Sequence, residues 1–595
     1  MYANQRNSGI NTRNKIASQV ELCLVTSPLR DSFDHVHKNV FLSLRSLPQD
    51  KNDLLDIDYE IAKPFANNPK KRKEIFELSS RLFHEILNEL TNELNSFHKV
   101  SFSKRYWHII IGPWLHIYLK IILNRYLSLI SAQKQYNFTK SIFIERDDYS
   151  LCDNTNIQFR DKQNDDYWNH FLFAKLLEDI PRIDLISMPS QKNKRKINHE
   201  ISKKRTKLLT FKKLLTFFSK YIILIKKDTD SVIYKSYLST KLEILATLSL
   251  KEFPVLYSSP KIQEFEEDAR LRETFFQDYN SFSGIERVAR KMIHLIMPKC
   301  YLEGYNKISQ EINNLNWPHN PKFIFTSNAY EFDEIFKFWV ALKVENGAPY
   351  FIGQHGSNYG TLYESKLWPE MNTCDKFFTW GWSNNDEVPA FNFKTADKNI
   401  THDPLGGLLI ITRWQGHFDG YHDKFYQHQE YLKYVSNFYK KLEYIQGFTT
   451  LRLHHNSLAS DFQFWGKFVS PSKIDCGKSS LESLIKENRL LVYTYDSAGI
   501  LESLTLDLPF ICFWPENYDN LNNFALPFYK SLEKVGIFHT SVESASMHIL
   551  NNWENISGWW NDDEVKKTRI KFYNHYARKE KKPVKKIKEL LLQNI

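Results

Sequence analysis

Short apolar runs closed by small or polar residues recur along the chain and alternate with longer stretches of helical spacing. "ELCLVTS" (21–27), "SIFIE" (141–145) and "KYIILIKK" (220–227) read as early strands. Between them, 71–97, 107–130 and 262–297 carry apolar residues at helical intervals. From residue 320 the pattern becomes regular. "KFIFTSN" (322–328) is a strand, "AYEFDEIFKFWVALKVENG" a helix stopping at Gly347, and "APYFIGQHG" the next strand. A strand, helix and strand in that order imply a parallel pair with a right-handed crossover. "CDKFFTWGW" (374–382) continues the series.

A polar stretch, 383–407, reads as a linker, and a second series follows. "LLIIT" (408–412), "FTTLRLHH" (448–455), "RLLVYTY" (489–495) and "PFICFW" (509–514) are strands. A helix runs through Tyr439, and "DSAGILESLTLDL" (496–508) is a turn and helix. The fold class is therefore α/β: two Rossmann-like domains facing a cleft, with helical insertions in the first. The expected boundaries are a tail over 1–18, a first domain over 19–395, a second domain over 400–575 and a basic tail over 576–595.

At 595 residues the chain is too long for one ordinary core, which agrees with this division. The longest apolar stretch, Trp107–Ile130, has the length of a membrane span. His108, His116, Lys120 and Arg125 interrupt it and Gly112-Pro113 should break its helix, so it is expected as a buried amphipathic helix. The polar start, without an apolar core, is not a secretory signal. Six scattered cysteines without C-x-x-C spacing point to free thiols in a reducing cytoplasm.

Charge adds one feature. The net charge is +11, and Lys192–Lys227 holds thirteen Lys/Arg against Glu200 alone. This basic insertion, bounded at 191–228, is either a solvated surface segment or a contact with the inner face of the cytoplasmic membrane. No aromatic-interleaved base-reading module accompanies it, so nucleic acid is not an expected partner.

In an open parallel sheet ligands bind beyond the carboxyl ends of the strands, and every candidate site lies there. Asp496, Ser497, Ala498 and Gly499 open a helix after a strand, a place where backbone N–H groups suit a phosphate. Glu502, farther along that helix, is placed to accept from a ribose or sugar; an ordinary capped helix is the plainer alternative. Arg452 and His454 are expected to share one face of the neighbouring strand as a cationic pair, with His455 on the other. Arg413 follows the first strand of that domain. Adjacent histidines lack the helical spacing of a zinc pair, and neither a metal nor a cofactor is expected.

"GQHGSNYG" ends a first-domain strand. There His355 is a candidate general base, and Gln354, Gly356, Asn358 and Tyr359 are acceptor or cleft candidates. Glu145, Asp147 and Asp148 follow another first-domain strand, and one of them is the alternative base or orients His355. A structural histidine bonded within its loop is the competing reading.

"LVTS", "WHIIIGPWL", "SNAYEFDE", "GQHGSNYGT" and "DSAGILESLTLDLPFICFW" together resemble a bacterial family of transferases of surface-polysaccharide biosynthesis (O-antigen, capsule, lipopolysaccharide). More distantly the order resembles GT-B glycosyltransferases. The resemblance implies a nucleotide-sugar donor in the C-terminal domain, a glycan or lipid-linked glycan acceptor in the N-terminal one, and metal-independent inverting transfer. In related polyol-phosphate polymerases a His-Gly carries the base, matching His355-Gly356. In capsule transferases using CMP-activated 2-keto sugars, His454 with His455 and Ser497 match the positions that hold the nucleotide phosphate. This chain departs from that pattern in having His-His where His-Pro is usual and a single Ser beside Asp496. The resemblance also admits a CDP-alcohol-dependent polyol-phosphate transferase, an epimerase, or a non-catalytic nucleotide-sugar-binding protein at the membrane.

Overall fold

A computed structural model describes residues 21–595 except 49, 147–148, 190–226, 385, 415–419 and 458. The tail 1–18, the strand expected at 220–227, nearly all of the basic insertion, Asp147 and Asp148 therefore lie outside the described residues.

The described chain holds three parallel sheets. The first comprises β1 (Leu22–Val25), β2 (Lys38–Phe41), β3 (Tyr59–Ile61), β4 (Lys140–Glu145) and β5 (Asp184–Pro189), in the order β3-β2-β1-β4-β5. The second comprises β6 (Val232–Ile233), β7 (Ile324–Thr326), β8 (Tyr350–Gly353), β9 (Lys376–Thr379) and β10 (Val388–Pro389), ordered β10-β9-β8-β7-β6. The third comprises β11 (Gly407–Ile411), β12 (Thr449–Arg452), β13 (Ile474–Asp475), β14 (Asn488–Tyr493), β15 (Phe510–Phe513) and β16 (Phe538–His539), ordered β13-β12-β11-β14-β15-β16. The second and third sheets are the two regular series of the sequence. The first is an additional sheet inside the segment read as one domain with helical insertions. Its partners β2 (KNVF) and β3 (YEI) are too short for alternation to register.

Two long helices lead from β3 to β4 within the first-sheet unit. Helix α1 (Pro69–His98) starts on Asn68, whose side chain accepts from Lys71 N, with Pro69 in the first turn. Helix α2 (Lys104–Gln135) is capped by Ser103. It corrects the expectation of an amphipathic, broken helix: it runs straight through Gly112-Pro113 and is buried on nearly all sides from Tyr106 to Tyr126. It packs on α1 and on the helix Glu334–Glu345, so neighbouring elements cover every face. The apolar window that matches a membrane span is 94% buried within the protein. Packing outweighs the hydrogen bond lost at Pro113.

Other differences have local causes. The stretch 262–297 holds three short helices, Ala269–Thr274, Gly284–Lys291 and Ile293–Ile296, and Phe276 with a left-handed φ of 55° interrupts the run between the first two. The stretch 383–407 is not a solvated linker: β10 pairs with β9, and Phe391 and Phe393 are fully buried. Across from it, Gly353 closes β8 where a Cβ would meet Phe393 Cε2 and Ser327 Oγ at 2.7 Å each. The C-terminal segment Pro583–Gln593 is a helix that buries Ile587, Leu590 and Leu591 and packs on the helix Thr240–Ser249 below the second sheet. All six cysteines are free, four of them buried.

Candidate functional site: a cleft between the second and third sheets

The loop after β8 meets the segment that follows β15 of the third sheet. Asn522 N donates to Thr361 O at 2.7 Å and Asn522 Nδ2 to Gly360 O at 2.9 Å, and Leu362 pairs with Leu521. Beside this seam lies a cleft of about 390 Å³, lined by His355, Tyr359, Glu370 and Lys120 on one side and Ala498 on the other. The His355 loop and the start of the helix at Ala498 thus both line this cavity.

Gln354 is not an acceptor-binding residue. It is fully buried, its Oε1 accepts from Trp380 N at 2.9 Å and Trp382 Nε1 at 2.8 Å, and its Nε2 donates to Gly356 O at 2.8 Å. The side chain pins the loop that carries His355. In Gln354→Ala two buried donors lose their acceptor, at a cost of roughly 1–3 kcal/mol. Urea unfolding should report a fall of that size, and an unchanged midpoint would remove the pinning role.

His355 is half-buried among three phenols. Its Nδ1 lies 3.0 Å from Tyr359 Oη and 3.4 Å from Tyr330 Oη, and Tyr237 stacks at 5.9 Å. Tyr359 donates to Glu370 Oε1 at 2.5 Å, and Tyr330 Oη is 3.2 Å from Tyr359 Oη. Burial, then the charges of Lys394 and Arg160, lower the His355 pKa to about 4, while the Ser327 carbonyl opposes them. Burial raises Glu370 to about 7 against the hydrogen bond from Tyr359. Asn358 holds a left-handed φ of 79°, and its carbonyl accepts from Leu362 N at 3.0 Å, so it shapes the turn. Gly356 leaves open space at the cleft wall.

Glu145 stands apart from this cleft. It ends β4 in the first sheet, where it accepts from Ser187, and is not among the residues lining the His355 cavity. The carboxylate joined to His355 is Glu370, which sequence reasoning missed because it sits in the short helix Pro369–Thr373 with no strand end to mark it.

On the third sheet, register brings β11, β12 and β14 together. Ile411 pairs with both Arg452 and Tyr493, so Arg413, His454 and Tyr495 follow on one edge. Arg413 lies 4.4 Å over the Tyr431 ring and pairs with Glu516 at 3.4 Å. Ser497 caps the helix Ala498–Leu506, its Oγ accepting from Gly499 N at 3.1 Å. Asp496 is raised to about 7 by burial, with the Tyr529 hydroxyl opposing and the Glu516 charge adding.

Three expectations change here. Strand β12 stops at Arg452, so His454 and His455 do not alternate: their rings are 4.1 Å apart, and His454 also stacks on Trp414 at 5.3 Å. Arg452 and His454 are not a cationic pair. Arg452 turns to Asp475 at 3.3 Å and Ser479 O at 3.0 Å, and burial with neighbouring positive charge lowers His454 to about 4. Glu502 is engaged by Lys394 at 2.7 Å, a cation from the segment read as linker that bridges the two sheets.

A cavity at the carboxyl ends of β8 and β14, lined by a hydrogen-bonded histidine and by the start of a capped helix, lies where open α/β sheets bind ligands. The chain belongs to the LIC12162 family of transferases, whose family model matches residues 22–591. No curated protein sequence matches it significantly. Among solved structures it is similar to a Listeria monocytogenes protein assigned as a UDP-N-acetylglucosamine 2-epimerase, at 13% identity and a TM-score of 0.34, covering 62% of this chain and 97% of that one. Acinetobacter baumannii MurG matches at 9% identity and a TM-score of 0.30, over 61% of this chain and 98% of its own. S. aureus MnaA, solved with UDP, matches at 10% identity and a TM-score of 0.30, over 71% and 92%.

Proposed function

We propose that the chain is a glycosyltransferase that moves a sugar from a nucleotide-activated donor to a hydroxyl of a surface-polysaccharide glycan, with inversion and without a metal. The observation that carries this reading is the single cleft shared by His355 and the Ala498 helix start. In the proposed reaction His355 takes the acceptor proton, the acceptor oxygen attacks the anomeric carbon, and the bond from that carbon to the donor phosphate oxygen breaks. The leaving phosphate keeps the electron pair. It is met by the positive end of the helix at Ala498 and by Arg413, an electrostatic stabilisation aimed at charge that develops during the reaction. His454, held neutral and stacked on Trp414, would offer a hydrogen bond rather than a charge.

The first test is nucleotide binding to the full chain, read by thermal unfolding in CMP, CDP, UDP and GDP. A nucleotide at about a hundred times its Kd stabilises a protein that binds only in the folded state by roughly 2.7 kcal/mol. One nucleotide class should raise the midpoint, and CMP would favour a 2-keto sugar donor. If none of the four shifts it, the donor-site reading falls.

A further inference from the structure

His355 alone is a weak base, since its surroundings disfavour the imidazolium. The groups behind it change the question. Nδ1, Tyr359 Oη and Glu370 Oε1 form a continuous chain with steps of 3.0 and 2.5 Å. Tyr359 has one hydroxyl hydrogen and donates it to Glu370, so its oxygen is left to accept from His355 Nδ1–H. That arrangement puts the imidazole lone pair on Nε2, the nitrogen not engaged by the phenols, with the Ser327 carbonyl as a second acceptor near the ring.

We propose that Glu370 is the terminus of a proton relay through Tyr359, so that the carboxylate rather than the imidazole stores the proton removed at His355 Nε2. The reading of His355 as the base is assumed. Every hydrogen is accounted for. One proton arrives on Nε2 from the acceptor hydroxyl, the Nδ1 hydrogen passes to the Tyr359 oxygen, and the original Tyr359 hydrogen passes to Glu370 Oε1. His355 ends neutral with its hydrogen on Nε2, Tyr359 remains a phenol, and Glu370 is a carboxylic acid. No imidazolium persists, so the low proton affinity of the ring ceases to oppose the step. Competence requires ionised Glu370, whose pKa of about 7 suits a proton acceptor near neutrality.

Charged and titratable groups surround this chain. Lys394, Arg160 and Lys120 face the ring and cleft, and each is paired, with Glu502, Glu331 and Glu364 respectively. Glu331 also faces Glu370 and adds to its upward shift. Tyr330, Tyr350 and Cys374, packed against the same carboxyl, are raised by burial and stay protonated. His116 lines the far wall of the cleft.

The test reads the tautomer of His355 directly, without activity. Full-length protein with 15N-labelled histidine is titrated by NMR, and the His355 resonances are identified by their loss in His355→Gln. The relay predicts Nε2–H at low pH, changing to Nδ1–H as pH rises through about 7. Glu370→Gln and Tyr359→Phe should each abolish that change. A wild-type tautomer that stays constant across this range, or a transition kept at the same midpoint in Glu370→Gln, would overturn the relay. The wild-type titration decides even if a variant fails to fold. If the tautomer switches as expected while His355→Ala keeps full turnover, the relay stands and the base assignment falls.

Discussion

His355→Ala is expected to lower turnover by about 10²–10⁴-fold, the range contributed by a positioned proton-transfer group. Donor binding should survive, because the proposed nucleotide site lies on the other sheet. The loop should keep its path, because its anchor is Gln354 bonded to Trp380 and Trp382 rather than the imidazole. Steady-state turnover together with nucleotide binding measures both halves. A variant that is folded, binds nucleotide and turns over at the wild-type rate would remove His355 from the chemistry. A variant that loses nucleotide binding as well would mean the two walls of the cleft are not independent.

The second large effect concerns Arg413. Replacing it with Met should cost about 10²–10³ in turnover if it stabilises the leaving phosphate, the loss typical of one preorganised electrostatic partner. The single variant has a confounding consequence. Glu516 is largely buried and would lose its cation while keeping the hydrogen bond from Gln427, and breaking a buried ion pair costs roughly 3–5 kcal/mol. Arg413→Met with Glu516→Gln removes both charges and separates the two effects. The double variant should recover most of the thermal stability and none of the lost turnover. Recovery of turnover together with stability would show that Arg413 acts only as a partner for Glu516.

The legible part of this protein is the part that local pattern controls. The strands near residues 324, 350, 408, 489 and 510 are short apolar runs buried on both faces, and such runs announce themselves without neighbours. The helix start at Ser497 was legible for a similar reason, since a small polar cap after a strand is a local signal. The first sheet was largely illegible because β2 and β3 depend on their partners for their extended form. Helix α2 was misjudged because a Gly-Pro pair reads as a break, whereas its burial on every side holds the helix together.

The candidate site divides along the same line. The sequence by itself placed His355 and Ser497 at strand ends, because apolar runs fix where strands stop and small residues mark the turns that follow. Only the tertiary structure decided which side chains serve them. It turned Arg452 toward Asp475, gave Glu502 to Lys394, placed His454 against Trp414 and brought Glu370 to Tyr359. The physical reason is that hydrogen bonds and ion pairs act over a few ångströms in space, whatever the separation along the chain. Residues 355 and 370 meet through a phenol, and residues 355 and 498 meet across a cleft, at separations that no local pattern encodes.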